Sequence, residues 1–135
     1  MIKLLSISIF LITFLNGQIF QSVPKDKGTF VNSGNEKYYC SACAMSLPKY
    51  YKTNYIYDEH QYCSMNCVIN ETKGEITKPL KVVDTKTLKF IDAKKAFYVV
   101  GSSRPGTMTM NSKYAFKTEE DAKAFKEEFG GEILI

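Results

Sequence analysis

The sequence predicts one small domain of mixed strands and helices, arranged as two related strand–helix–strand halves behind an N-terminal leader and a linker. Three observations support this. The 135 residues, 44% of them hydrophobic, suffice for one ordinary core. Strand-like segments flank two stretches of helical periodicity. Asn54 to Ile76 also overlays ungapped on Asn111 to Ile133, an offset of 57, with six identities: Asn54/Asn111, Tyr57/Tyr114, Glu71/Glu128, Gly74/Gly131, Glu75/Glu132 and Ile76/Ile133.

Residues 1–17 join a weakly basic start, Met1-Ile2-Lys3, to an apolar run from Leu4 to Leu15 that Asn16-Gly17 breaks. That length suits a signal peptide and falls short of a comfortable membrane span, so a periplasmic or otherwise exported protein is expected. Membrane contact is expected only if this segment stays uncleaved as an anchor. Residues 18–37 are polar, with Pro24, Gly28 and Gly34, and read as a linker before a domain at 38–135.

Within the domain, the aromatic alternation of Tyr50 to Tyr57 predicts a strand and Asp58-Glu59-His60-Gln61 a turn. A short helix runs from about Ser64 to Thr72, with Met65, Val68 and Ile69 in phase and Gly74 just beyond it. Met65 therefore reads as core. Strands are expected at Leu80 to Val83, Leu88 to Ile91 and Ala96 to Val100. A loop from Gly101 to Thr107 leads through Met108-Thr109-Met110 to a strand at Lys113 to Phe116. Thr118, with Asp121 three residues on, opens a second helix whose stripe is Ala122, Phe125 and Phe129, and Gly130 ends it. Glu132 to Ile135 closes the chain as a strand.

All four cysteines lie in two close pairs, Cys40 with Cys43 and Cys63 with Cys67. Soft sulfur at such spacing suits Zn(II), Cu(I) or iron–sulfur chemistry, and thioethers near the pairs tilt the choice toward Cu(I). Cu(I) takes two or three soft donors. Cys43 and Met45, joined by His60, Met108 or Met110, would leave one side open for exchange. All four thiolates together would instead make a closed tetrahedral site, the usual form of structural Zn(II). In an oxidising compartment the same residues could form two disulfides. His60, the only histidine, also fits a solvated turn, and Met108 and Met110 also fit a shared strand face.

The order Cys43, nineteen residues, Cys63, three residues, Cys67 resembles the TRASH-type metal-binding module. Cys40-Ser41-Ala42-Cys43-Ala44-Met45 resembles the Cys-x-x-Cys-Gly-Met motif of the NosL family, with Ala44 in place of Gly. The likeness continues through Ala96 to Val100, Met108, Tyr114-Ala115-Phe116 and Phe129-Gly130-Gly131-Glu132. It implies an α+β domain of duplicated architecture. It also implies an exported Cu(I) metallochaperone that delivers copper to an apo copper enzyme, such as nitrous oxide reductase, or to a copper-relay protein. Cys43 and Met45 stand at the motif's metal-binding positions.

Other classes are disfavoured. A net charge of +4 without a basic stripe gives no nucleic-acid footprint. No paired acids, Ser-His arrangement or phosphate loop suggests an enzyme, and Cys40-Ser41-Ala42-Cys43 lacks the long helix that follows a thioredoxin-type pair. The alternative to copper delivery is a Zn(II)-stapled protein-interaction module.

Overall fold

The structure is a computed structural model that describes residues 19–134, so the leader at 1–17 lies outside the described residues. Seven strands and two α-helices follow in the order β1 (Tyr55–Tyr57), β2 (His60–Tyr62), α1 (Met65–Thr72), β3 (Leu80–Val83), β4 (Phe90–Asp92), β5 (Phe97–Val100), β6 (Lys113–Phe116), α2 (Glu119–Phe129) and β7 (Glu132–Leu134). They make two antiparallel sheets, ordered β2-β1-β3-β4 and β6-β5-β7. No helix among the described residues is long and apolar enough to cross a membrane.

Local chemistry explains most elements. Tyr55, Tyr57 and Tyr62 face the core with Leu80 and Val82, while α1 buries Cys67 and Val68. Lys73 takes the left-handed position that ends α1, with φ 56°, and Gly74 follows it at φ 80°. The Thr118 hydroxyl accepts from the Asp121 amide as the capping pattern predicts. Behind that cap, Val99, Tyr114, Phe116, Ala122 and Phe125 form the core of the second sheet.

Three sequence expectations require correction. Tyr50 to Tyr57 is not one strand: Tyr51–Thr53 is a 3₁₀ turn that buries the Tyr51 ring, and only Tyr55–Tyr57 pairs. The turn at 58–61 is shorter, because Asp58 and Glu59 both adopt positive φ, 49° and 66°, and close a tight hairpin into β2. Such two-residue turns favour Asn, Asp or Gly followed by Gly, and here Glu59 stands where Gly is preferred. The offset of 57 also misplaces the strands, since it sets β1 against the start of β6 and leaves residues 75–77 unpaired where β7 would fall. Each sheet instead contains a strand, strand, helix, strand unit in the spatial order second, first, third, and the first sheet adds β4 at its edge.

Residues 19–37 touch the rest of the domain at several points. Phe20 lies edge-on to Tyr114 with centroids 5.2 Å apart, inside the second core. Val23, Tyr51 and Val83 form a third cluster on the other face of the first sheet. The Val23 amide donates to Pro48 O at 2.9 Å and the Thr29 amide to Tyr51 Oη at 2.7 Å. The segment straps both sheets.

Candidate metal centre

The first pair of cysteines sits on a small loop closed at its base. The Cys40 amide donates to Met45 O at 2.8 Å, the Ala44 amide to Cys40 O at 3.0 Å and the Leu47 amide to Tyr38 O at 2.8 Å. Closing so tight a loop forces Ala44 to φ 62°, the region where the related motif keeps Gly. The second pair comes from the end of β2 and the first turn of α1, where Cys63 and Cys67 share a face one turn apart. The Ser41 amide donates to Gln61 O at 3.0 Å and thereby lays the loop along the edge of β2.

This arrangement brings all four Sγ atoms within 4.8 Å of one another. Cys43 Sγ is 3.5 Å from Cys63 Sγ, which is 3.7 Å from Cys67 Sγ. No disulfide joins them. Cys40, Cys63 and Cys67 are buried while Cys43 is half-exposed, the most accessible residue of the four. A tetrahedral ion with Zn–S bonds of ~2.3 Å needs sulfurs about 3.8 Å apart, close to the separations seen.

The thiols divide their protons unevenly. Interaction with the neighbouring Cys63 thiol draws the Cys40 pKa down to about 4, and Cys63 is correspondingly pushed up by that interaction and by burial. Burial, followed by the nearby Cys40 charge, pushes Cys67 up to about 12. Within the cluster the thiolate form is thus favoured at Cys40 and the protonated form at Cys63 and Cys67.

The other expected donors are placed differently. Met45 is half-buried and packs against the same core as the cysteines, as does Met65. Met108 and Met110 are exposed at 48% and 102%, on the loop before β6, where Asn66 Nδ2 donates to Met108 O. His60 is exposed at the start of β2 and lines a 630 Å³ hollow with Asp58, Glu59 and Lys81, outside the thiol group.

Sequence reasoning missed the polar residues that brace the loops. Gln61 is fully buried: its side-chain amide donates to Thr29 O and Asn54 Oδ1 and accepts from the Val31 amide, all within 3.1 Å. Thr53 Oγ1 lies 2.8 Å from Cys63 O and 2.6 Å from Thr107 Oγ1. The signal available was polar side chains flanking both cysteine segments, and it is a weak one.

Fold and site define a small α+β protein with a braced cluster of four unbridged thiols. A NosL family profile matches residues 32–135, and the chain belongs to the NosL family. Among solved structures it is similar to the crystal structure of the copper chaperone NosL from Shewanella denitrificans, at 23% identity and a TM-score of 0.57, over 82% of this chain and 93% of that one. No curated protein matches the chain. Family membership agrees with the reading as a non-enzyme.

Proposed function

We propose that this protein binds Cu(I) at the cluster of Cys40, Cys43, Cys63 and Cys67 and passes it by ligand exchange to an apo copper protein. The observation that carries the reading is the convergence of four free thiols, one of them half-exposed, in a NosL-family chain. Cu(I) fills its shell with two or three soft donors, and a partner thiolate or thioether can join from the Cys43 side before the others let go. Cys43 is the exchange ligand, with Met45 two residues on as a further soft donor. The third place goes to Cys63, 3.5 Å from Cys43, ahead of Met108, Met110 and His60, which face solvent. That the similar structure is of a copper chaperone supports copper as the cargo.

Residues 1–17 would direct export, and the acceptor would be an exported copper enzyme such as nitrous oxide reductase or a relay protein serving it. We also infer that the two strand–strand–helix–strand units arose by duplication, on the strength of their common strand order. Only the first unit carries thiols.

One observation favours a second reading: sulfur spacings near those of a tetrahedral ion suit structural Zn(II). Anaerobic titration of reduced protein against a chromophoric Cu(I) chelator, with Zn(II) in parallel, separates the two. One tight Cu(I) equivalent that Cys43→Ser weakens at least about tenfold is expected, since this removes a soft donor. Unchanged Cu(I) affinity in Cys43→Ser overturns the assignment, and tight Zn(II) without which the domain unfolds would favour the staple.

A further inference from the structure

Asn32 lies in the strap, outside both cysteine segments, yet its side chain reaches each of them. Nδ2 donates to Tyr39 O at 2.8 Å and to Gln61 O at 3.2 Å. Oδ1 accepts from Ser41 Oγ at 3.1 Å and from the Gln61 amide at 2.8 Å. An amide has two donor hydrogens and two acceptor lone pairs, and here all four are used. Their partners are the two residues flanking Cys40 and the residue two before Cys63. Asn32 is 9% exposed, so water cannot readily take over these bonds.

We infer that Asn32 is a positioning residue for the metal centre, a single amide that fixes the spacing between the Cys40–Cys43 loop and the Cys63 strand. The inference rests on the metal-binding reading. Besides the Cys43–Cys63 sulfur contact, the two segments are joined backbone to backbone by the Ser41 amide on Gln61 O, and Gln61 is itself held by Asn32 through both its backbone amide and its carbonyl. Loss of the Asn32 amide therefore leaves the Ser41 amide as the one backbone tie between the loop and β2 at the level of Cys40 and loosens their spacing. Outer partners of this kind set how well ligands are pre-placed, and their removal commonly lowers metal affinity about 10- to 100-fold.

The geometry also selects the amide specifically. In Asn32→Asp the shape is kept, but a carboxylate oxygen replaces the donor and faces the carbonyls of Tyr39 and Gln61. Asp therefore disrupts the loop although it is nearly isosteric. Ser41→Ala removes only the bond from Ser41 Oγ and gives a milder version.

The test compares wild type, Asn32→Asp, Asn32→Ala and Ser41→Ala with Thr118→Ala, a stability control in the helix of the other sheet. Cu(I) affinity and the thiolate charge-transfer bands of bound Co(II) are measured where every variant is folded, and amide hydrogen exchange is followed on the metal-free protein. The expected result is a Cu(I) affinity about 10- to 100-fold weaker in both Asn32 variants, with altered Co(II) bands and faster exchange of the Cys40 and Ser41 amides. Thr118→Ala should change neither affinity nor spectrum. Wild-type affinity and spectrum in the Asn32 variants, or unchanged exchange at 40–41, overturns the inference. Failure of wild type itself to bind Cu(I) would overturn the copper reading, while the exchange data, which need no metal, would still decide whether Asn32 holds the loop. Should the Asn32 variants fail to fold, Ser41→Ala alone decides by the same measurements.

Discussion

At the scale of single residues, Ala44 holds the loop in a conformation that costs an L-residue with a Cβ about 1–2 kcal/mol. Its φ of 62° is imposed by the bonds that close residues 40–45 around Cys43. Ala44→Gly relieves that strain but adds about 0.4–1 kcal/mol of freedom to the unfolded chain. A net gain of about 0.5–1 kcal/mol in urea unfolding is therefore expected. No gain would show that the loop relaxes at no cost. The thiols supply a pH dependence. Cys40, with its pKa drawn down to about 4, contributes stability that is complete above the ordinary thiol value of 9.0 and is lost as pH falls toward 4. Cys63 and Cys67, both raised, contribute stability that is complete below 9.0 and is lost as pH rises, toward about 12 for Cys67. Metal-free protein in denaturant melts should thus weaken in both directions away from a mildly alkaline optimum. Metal uptake at neutral pH should release the protons held on Cys63 and Cys67, which an indicator dye in weak buffer would record.

At the scale of elements, the turn between β3 and β4 shows how the two sheets are locked together. Asp84 is fully buried: Oδ1 accepts from the Lys86 and Lys117 amides at 3.2 and 3.4 Å, and Oδ2 from the Thr87 hydroxyl at 2.7 Å. Beside it the Thr85 amide donates to Ala115 O at 2.9 Å, so the turn of one sheet is pinned to β6 of the other. Asp84→Ala strands those donors and should cost about 2–4 kcal/mol, read as a lower urea midpoint, given that bonds to a charged group are worth about 1.5–3 kcal/mol. A cost under about 1 kcal/mol would show that water replaces the carboxylate. The strands β3, β5 and β6 and both helices were legible because each has its own period or cap: Leu80 to Val83, Phe97 to Val100, and Thr118 with Asp121. The element at Tyr51–Thr53 was not, because an aromatic alternation looks like a strand until a buried ring forces a turn. Strand β2 was hidden in the same way, since Asp58 followed by Glu59 does not announce a hairpin at positive φ.

For the whole molecule, the strap is the feature least legible in the sequence and most consequential. Its composition is that of a linker, because it buries only a few apolar side chains and is otherwise held by amides: Phe20 enters the second core, Val23 the cluster with Tyr51 and Val83, and Gln21 Nε2 reaches Pro105 O at 3.1 Å. The candidate site was legible as four cysteines, but the amides of Asn32 and Gln61 that set its shape lie in or against this strap. A domain begun at Tyr38, where composition suggests the boundary, therefore lacks part of both cores. Burial of Val23 is worth about 1.5–3 kcal/mol, that of Phe20 somewhat less because it is only partly covered, and each buried hydrogen bond left open about 1–3 kcal/mol. Against a typical domain stability of about 5–15 kcal/mol, the shortened chain should lose roughly half of it or fail to fold, whereas a chain begun at residue 19 should keep its urea midpoint. Because Asn32 departs with the strap, metal affinity should fall in the shortened chain even under conditions where circular dichroism shows it folded. Equal midpoints and equal Cu(I) affinity for the two chains would return residues 19–37 to the role of a linker and leave the spacing of the thiols to the cysteine loop and β2 alone.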